Sequence, residues 1–321
     1  MNGCGRIGKI LPVVLLAVLI ILPMLPVSTY IIHVATLIFI WSIVATTWSF
    51  MGRFGLVSLG HGAFMGMGAY VTVLLFNHAG LSPWIGMLAG GLAACFMGAV
   101  LGYACFRFGV IGDYFALVTL ALAELVALLV VAFRGVTGGS LGLTVRSVGT
   151  SVWYFQFDNR IYFYYIALVA LGVVLFIWRW IDRTDMRKAL AAIGEDELAA
   201  SSLGVNIIRN KMAITLISTF FTALGGTIYA QYLLYLSPET VCGVGVSLSI
   251  PFKAILGGMF TLWGPFIGSA IIVSLEEYIR AAYGGTYTSI SQIIYGVALV
   301  VLIMFLPKGI FGTLREKFYS K

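Results

Sequence analysis

Chemistry needs titratable or nucleophilic side chains within reach of one another, and this sequence is sparing with them: 10% of its 321 residues are charged. Glu124 is the one acid deep inside an apolar run, LVTLALAEL from Leu117 to Leu125. A carboxylate in hydrocarbon is costly, so its default reading is functional, with a structural hydrogen bond to another helix as the equal alternative. His61 and Lys253 are the partners on offer, since both fall in Gly-rich apolar segments. No nucleophile, base and orienting group form a set, and neither H-E-x-x-H nor a zinc-ligand cluster occurs. Cys4, Cys95, Cys105 and Cys242 lack C-x-x-C spacing. The expectation is a chain with no catalytic residue, no metal and no cofactor of its own.

The elements that must carry these residues belong to a membrane protein. The chain is 61% hydrophobic, with apolar runs close to the roughly 20 residues a bilayer requires. Its net charge of +7 is scattered between those runs, which argues against nucleic acid as a partner. Backbone polar groups cannot stay unpaired in lipid, so the fold class is all-α, a polytopic transmembrane helical bundle in one domain over residues 1–321. Runs lie near Ile10–Val27, Ile31–Phe50, Gly55–Phe76, Trp84–Phe106, Tyr114–Phe133, Tyr162–Ile181 and Met212–Leu236, then Val246–Met259, Leu262–Ile279 and Ser289–Leu306. That is about ten membrane segments, with broken Gly-rich helices among them. Arg6 and Lys9 before the first run suit a signal peptide, but no A-x-A site follows, so a retained first span is expected. Cytoplasmic N- and C-termini put Arg53, Arg107, the stretch Asp182–Lys211 and the tail Lys308–Lys321 inside, which places most of the 19 Lys and Arg there.

Glycine marks the places where such helices touch or break. Gly86, Gly90, Ala94, Gly98 and Gly102 recur every fourth position, a face on which another helix can pack closely. GLVSLGHGAFMGMGAYV from Gly55 is too rich in glycine for a plain helix and reads as a broken one. A second Gly-rich stretch runs from Gly257 to Gly268, and both hold a G-x-F-x-G core, Gly62 to Gly66 and Gly264 to Gly268. Paired broken segments point to a midplane substrate path, although chance matches come easily in a chain with 38 glycines. The candidate path residues are therefore Gly60, His61, Gly62, Gly66, Glu124, Gly257, Gly258, Gly264 and Gly268. An outward loop follows the fifth segment with Thr137, Gly138, Gly139 and Ser140, then Trp153, Tyr154, Phe155 and Phe157, aromatics suited to a membrane interface.

The longest polar stretch, DRTDMRKALAAIGEDELAASSLGVNIIRNK from Asp182 to Lys211, predicts two short helices split near Gly194 and a left-handed exit at Gly204. Its LAASSLG, nine residues, then Ile214-Thr215-Leu216 resembles the EAA loop of ABC-importer permeases. Ala199, Ala200, Gly204, Ile214 and Leu216 fall on that pattern, while Leu198 replaces its Glu and Ile217 its Pro. The wider wording IGEDELAASSLGVNIIRNK is more similar to the LivM-type permeases of branched-chain amino acid importers, where the Glu is commonly absent too. Ser58-Leu59-Gly60-His61, the TGGS of Thr137–Ser140 and the closing Leu306–Gly312 extend the likeness from about Gly52 to Gly312.

The resemblance implies a pore-forming, multi-pass subunit of the cell inner membrane. It implies a second related permease subunit, two cytoplasmic ATPase subunits that meet the loop of residues 182–211, and an external substrate-binding protein that docks near Thr137–Ser140. A rigid helix with a small face is what such a motor could grip, with Gly204 permitting its exit. The chain has no G-x-x-x-x-G-K-[S/T], so ATP and Mg would sit on the partner subunits. A path with almost no fixed charge suits a branched-chain amino acid or another small zwitterionic or neutral solute, without choosing leucine over urea or a short amide. A rival from another class is a stand-alone secondary transporter or channel with Glu124 as its coupling group. A weaker one is a membrane subunit that only anchors partners.

Overall fold

Apolar segments close their backbone hydrogen bonds internally, and the computed structural model, which describes residues 19–24, 26–283 and 296–297, does so with helices. In chain order they are α1 (Thr29–Gly52), α2 (His61–Ala79), α3 (Pro83–Arg107), α4 (Gly112–Ala132), α5 (Arg160–Arg183), α6 (Asp185–Glu195), α7 (Glu197–Ser202), α8 (Ile207–Leu233), α9 (Val244–Gly257) and α10 (Gly264–Tyr283). The only sheet among the described residues is a short antiparallel ribbon, β1 (Leu143–Thr144) against β2 (Tyr235–Leu236).

Among the described residues six segments are long and apolar enough to cross a membrane: α1, α3, α4, α5, α8 and Pro238–Gly257, in which a single turn leads into α9. The expected count of about ten is not reached among the described residues. The runs Gly55–Phe76 and Leu262–Ile279 do become helices, α2 and α10, but fall outside those six. His61, Asn77 and His78 make the first polar at its ends, and Glu276, Glu277 and Arg280 charge the second. The short run Val246–Met259 gains a turn at its start. Most of Ile10–Val27, most of Ser289–Leu306 and the whole tail Lys308–Lys321 lie outside the described residues.

The centre is built from α2, α3 and α8, and small residues decide how near they come. A Cβ on Gly68 would stand 2.1 Å from the Ala223 carbonyl oxygen, and one on Gly226 2.0 Å from that of Met65, so α2 and α8 cross backbone to backbone. The four-residue ladder of α3 faces the same way: Gly86 meets Thr72, Gly90 meets Gly68 and Gly98 meets Thr219. Leu88, Leu92, Phe96 and Val100 stand two residues out of phase, about 200° around the helix, and are all exposed. One helix thus shows a bare stripe to its neighbours and a bulky one outward. Hydroxyls tie α8 to its neighbours, Thr222 to Thr47 of α1 at 2.8 Å and Thr227 to Thr72 of α2 at 3.0 Å.

The Gly-rich third segment breaks only before His61. Residues from Gly55 to Gly60 are not helical, whereas Gly62, Gly66 and Gly68 sit in continuous helix. Burial of those three against neighbouring backbone and small side chains outweighs glycine's poor helix propensity.

Candidate transport site and coupling surface

The irregular strand before α2 enters the bundle and needs partners for its backbone. Trp48 Nε1 donates to the Ser58 carbonyl at 2.6 Å, and the Leu59 amide donates to Thr119 Oγ1 at 2.9 Å. Gly60 lies so close to α4 that a Cβ would be 2.0 Å from the Thr119 carbonyl oxygen. His61 is fully buried and held at both nitrogens, by Ser58 Oγ at 3.0 Å on Nδ1 and Ser218 Oγ at 2.9 Å on Nε2. Ser218 already donates its proton to the Thr47 carbonyl at 2.7 Å, so it accepts from Nε2–H and leaves Nδ1 to accept from Ser58. Neutral imidazole thereby joins α1, α2 and α8.

The second Gly-rich stretch forms a tight hairpin between α9 and α10. Added Cβ atoms on Gly257, Gly264 and Gly268 would stand 1.8, 2.0 and 1.9 Å from the carbonyl oxygens of Gly264, Gly258 and Lys253, and Gly258 has φ +114°. Gly62 and Gly66 pack on Ser247 and Cys242 instead. Both G-x-F-x-G elements open a helix after a break, but the structure gathers one set around the hairpin and the other around the start of α2.

Glu124 stands apart from both. It is exposed, in a groove of about 380 Å³ shared with Leu128, Val131, Pro238 and Glu239. Neither partner suggested by the sequence reaches it. His61 is committed to two serines, and Lys253, 1% exposed, donates to Ser249 Oγ at 3.2 Å with its ammonium 4.0 Å from the Trp41 ring centre. The reason is rotational: α4 is apolar around nearly its whole circumference, and Thr119 and Ala123, not Glu124, point inward.

At the end of the bundle that holds Arg53, α6 and α7 lie across the helix ends. Leu190 and Ile193, three apart, are buried, and Gly194 faces the Phe54 carbonyl. The break falls at Asp196, two residues past Gly194, because its carboxylate caps α7 by accepting from the Leu198 and Ala199 amides at 2.8 and 3.1 Å. Gly204 ends the turn at φ +83°. Arg53 anchors the entry to Asp182 at 2.8 Å, and the buried Lys211 anchors the exit to Glu197. The hydrogen bond from Lys188, and then its charge, hold the exposed Asp185 carboxyl below the usual carboxylate range.

The matched positions of this loop separate. Ala199 is exposed but Ala200 is buried, so they do not share one outward face. Leu198 and Leu203 are 81% and 83% exposed and form its apolar outer surface. Ile214 is buried within α8, and the Leu216 carbonyl accepts from Cys95, which makes both part of the bundle.

At the opposite end Thr137 donates to the Val130 and Phe133 carbonyls and receives the Gly139 amide. Gly138, Gly139 and Gly142 all have positive φ, and Gly142 abuts the Leu236 carbonyl. Ser140 and Leu141 project outward from this knot.

The sequence that builds this loop and bundle matches a known family. The family described as branched-chain amino acid transport system, permease component, covers residues 30–304. This chain belongs to that family. It is 28% identical to the high-affinity branched-chain amino acid transport system permease protein LivM of Escherichia coli (strain K12), over 98% of this chain and 77% of the relative. It is also 28% identical to LivM of Salmonella typhimurium (strain LT2), over 84% and 67%. The guanosine ABC transporter permease protein NupQ of Bacillus subtilis (strain 168) is 25% identical over 76% and 79%. No solved structure matches the chain.

As a permease component the protein keeps its few polar side chains for joining helices. Sequence reasoning missed Trp48, Thr119 and Ser218 as partners of the Ser58–His61 element. The signal was present in α8, where Thr215, Ser218, Thr219 and Thr222 recur at helical spacing and are all buried.

Proposed function

We propose that the chain is one membrane subunit of an ATP-driven importer of the cell inner membrane, with cytoplasmic termini. It pairs with a second related permease, rests on two cytoplasmic ATPases that bind ATP and Mg, and receives its solute from an external binding protein. The solute is a branched-chain amino acid or a similarly small zwitterionic or neutral molecule. The observation that carries this reading is family membership over residues 30–304, and the exposed Leu198 and Leu203 on an anchored loop support motor contact there.

The path runs between this chain and its permease partner, along the face of α4 and the turn before α9. Glu124 supports that placement, since an acid within a span that faces away from its own bundle needs protein or water opposite it. Lipid covers the bulky stripe of α3. Glu124 is also what the ion-coupled rival rests on. Relatives carry names for guanosine and for branched-chain amino acids alike, and uptake by the reconstituted complex separates these. Leucine uptake that excess isoleucine and valine suppress, and excess guanosine does not, is the expected result. The opposite competition pattern sinks the amino acid assignment.

A further inference from the structure

The external end of the bundle carries a cavity of about 530 Å³ that none of the path residues lines. Its walls come from the segment before α5, from α5 itself and from the end of α8. Gln231 stands in the wall, fully buried, and neither its amide nitrogen nor its amide oxygen has a hydrogen-bond partner. Both amide atoms lie below the accessible surface, so the Gln231 side chain backs the wall without touching what the cavity holds.

Two opposite charges line the same space. Asp158 and Arg160 are two residues apart, both on the cavity, and no ion pair joins them among the described residues. The residue between them is already used: Asn159 Oδ1 accepts from the Ile161 amide and caps α5. Arg160 therefore sits at the positive end of a helix of 24 residues, where a carboxylate is favoured twice over. The buried Phe163 and half-buried Tyr232, with ring centroids 5.4 Å apart, give the cavity an aromatic wall, and the Tyr232 hydroxyl is engaged by His33 at 2.6 Å.

We propose that this cavity is an external binding site for a zwitterionic α-amino acid. Arg160 takes the carboxylate and Asp158 the ammonium group, while the side chain lies against Phe163 and Tyr232. The volume falls within the range of small-molecule sites. The choice of an amino acid as solute rests on the transport reading above, but the site itself stands on its own residues.

The test is equilibrium binding of radiolabelled leucine to the purified full chain in lipid nanodiscs, beside ATP-driven leucine uptake by the reconstituted complex. Saturable binding is expected, at least tenfold weaker in Asp158→Asn and in Arg160→Gln, both exposed and outside the buried core. Isoamylamine, which lacks the carboxylate, and isocaproate, which lacks the ammonium group, should each fail to compete. Absence of saturable binding, unchanged binding in both exposed variants, or competition by isoamylamine as strong as by leucine overturns the site. Uptake without such binding removes the site and leaves the transport reading; binding dependent on Asp158 and Arg160 without uptake does the reverse.

Discussion

His61 shows how a single side chain can be legible as important and illegible in role. An apolar segment with a lone histidine suggests a charge partner, and Glu124 was the acid to pair it with. The structure spends both imidazole nitrogens on Ser58 and Ser218. His61→Ala leaves two buried hydroxyls short of a partner, and the expected loss is about 1–3 kcal/mol, read as a lower thermal midpoint of the purified protein. His61→Gln should recover part of it if Gln bridges both serines, whereas no loss in His61→Ala would mean the bonds contribute nothing. Glu124 is the converse case: its type is plain from the sequence, but its direction is not, because an all-apolar helix gives no periodicity from which to read a facing side. Glu124→Gln keeps size and hydrogen bonding and removes charge. ATP-driven uptake should stay within about threefold of wild type, roughly 0.6 kcal/mol in the barrier. Complete loss with intact assembly would favour the ion-coupled rival.

Helix-scale features were the most legible, because spacing alone determines them. The every-fourth small residues of α3 predicted close packing, and Gly90 and Gly98 meet α2 and α8 as that spacing demands. The left-handed exit at Gly204 was readable for the same reason. What spacing could not show is which side of the six-residue α7 faces out. The Asp196 cap turns it so that Ala200 is buried and Leu198, Ala199 and Leu203 are exposed. Ala200→Arg would thus disturb the seat of the loop as well as any contact, and Leu203→Asp is the cleaner variant. It should abolish co-purification of the ATPases and uptake together, with the thermal midpoint unchanged, because an 83% exposed side chain contributes little to folding. Asn210→Ala, at the start of α8, should change neither. Full ATPase retention in Leu203→Asp would show that the motor binds elsewhere.

For the molecule as a whole, the helical class and its two ends follow from hydropathy and charge, while the number of spans does not. Six segments among the described residues qualify by length and apolarity, and α2 is not one of them although it lies at the centre. Hydropathy measures transfer into lipid, and a helix enclosed by other helices need not satisfy it. The two ends are nonetheless distinct: Ser201 is exposed beside the Arg53 end, and Ser140 is exposed beside the ribbon of β1 and β2. A cysteine at Ser201 should label with an impermeant maleimide only from the cytoplasm, and one at Ser140 only from outside. Labelling of both from one side would remove the topology on which motor contact at Leu203 depends. On the proposed function, this bundle moves solute only when a separate motor works on it. Leucine uptake into proteoliposomes, with the permease partner, ATPases and binding protein present, should require hydrolysable ATP on the ATPase side and should stay at background when a membrane potential or proton gradient is imposed on vesicles lacking the ATPases. Uptake driven by either gradient without the ATPases would contradict it.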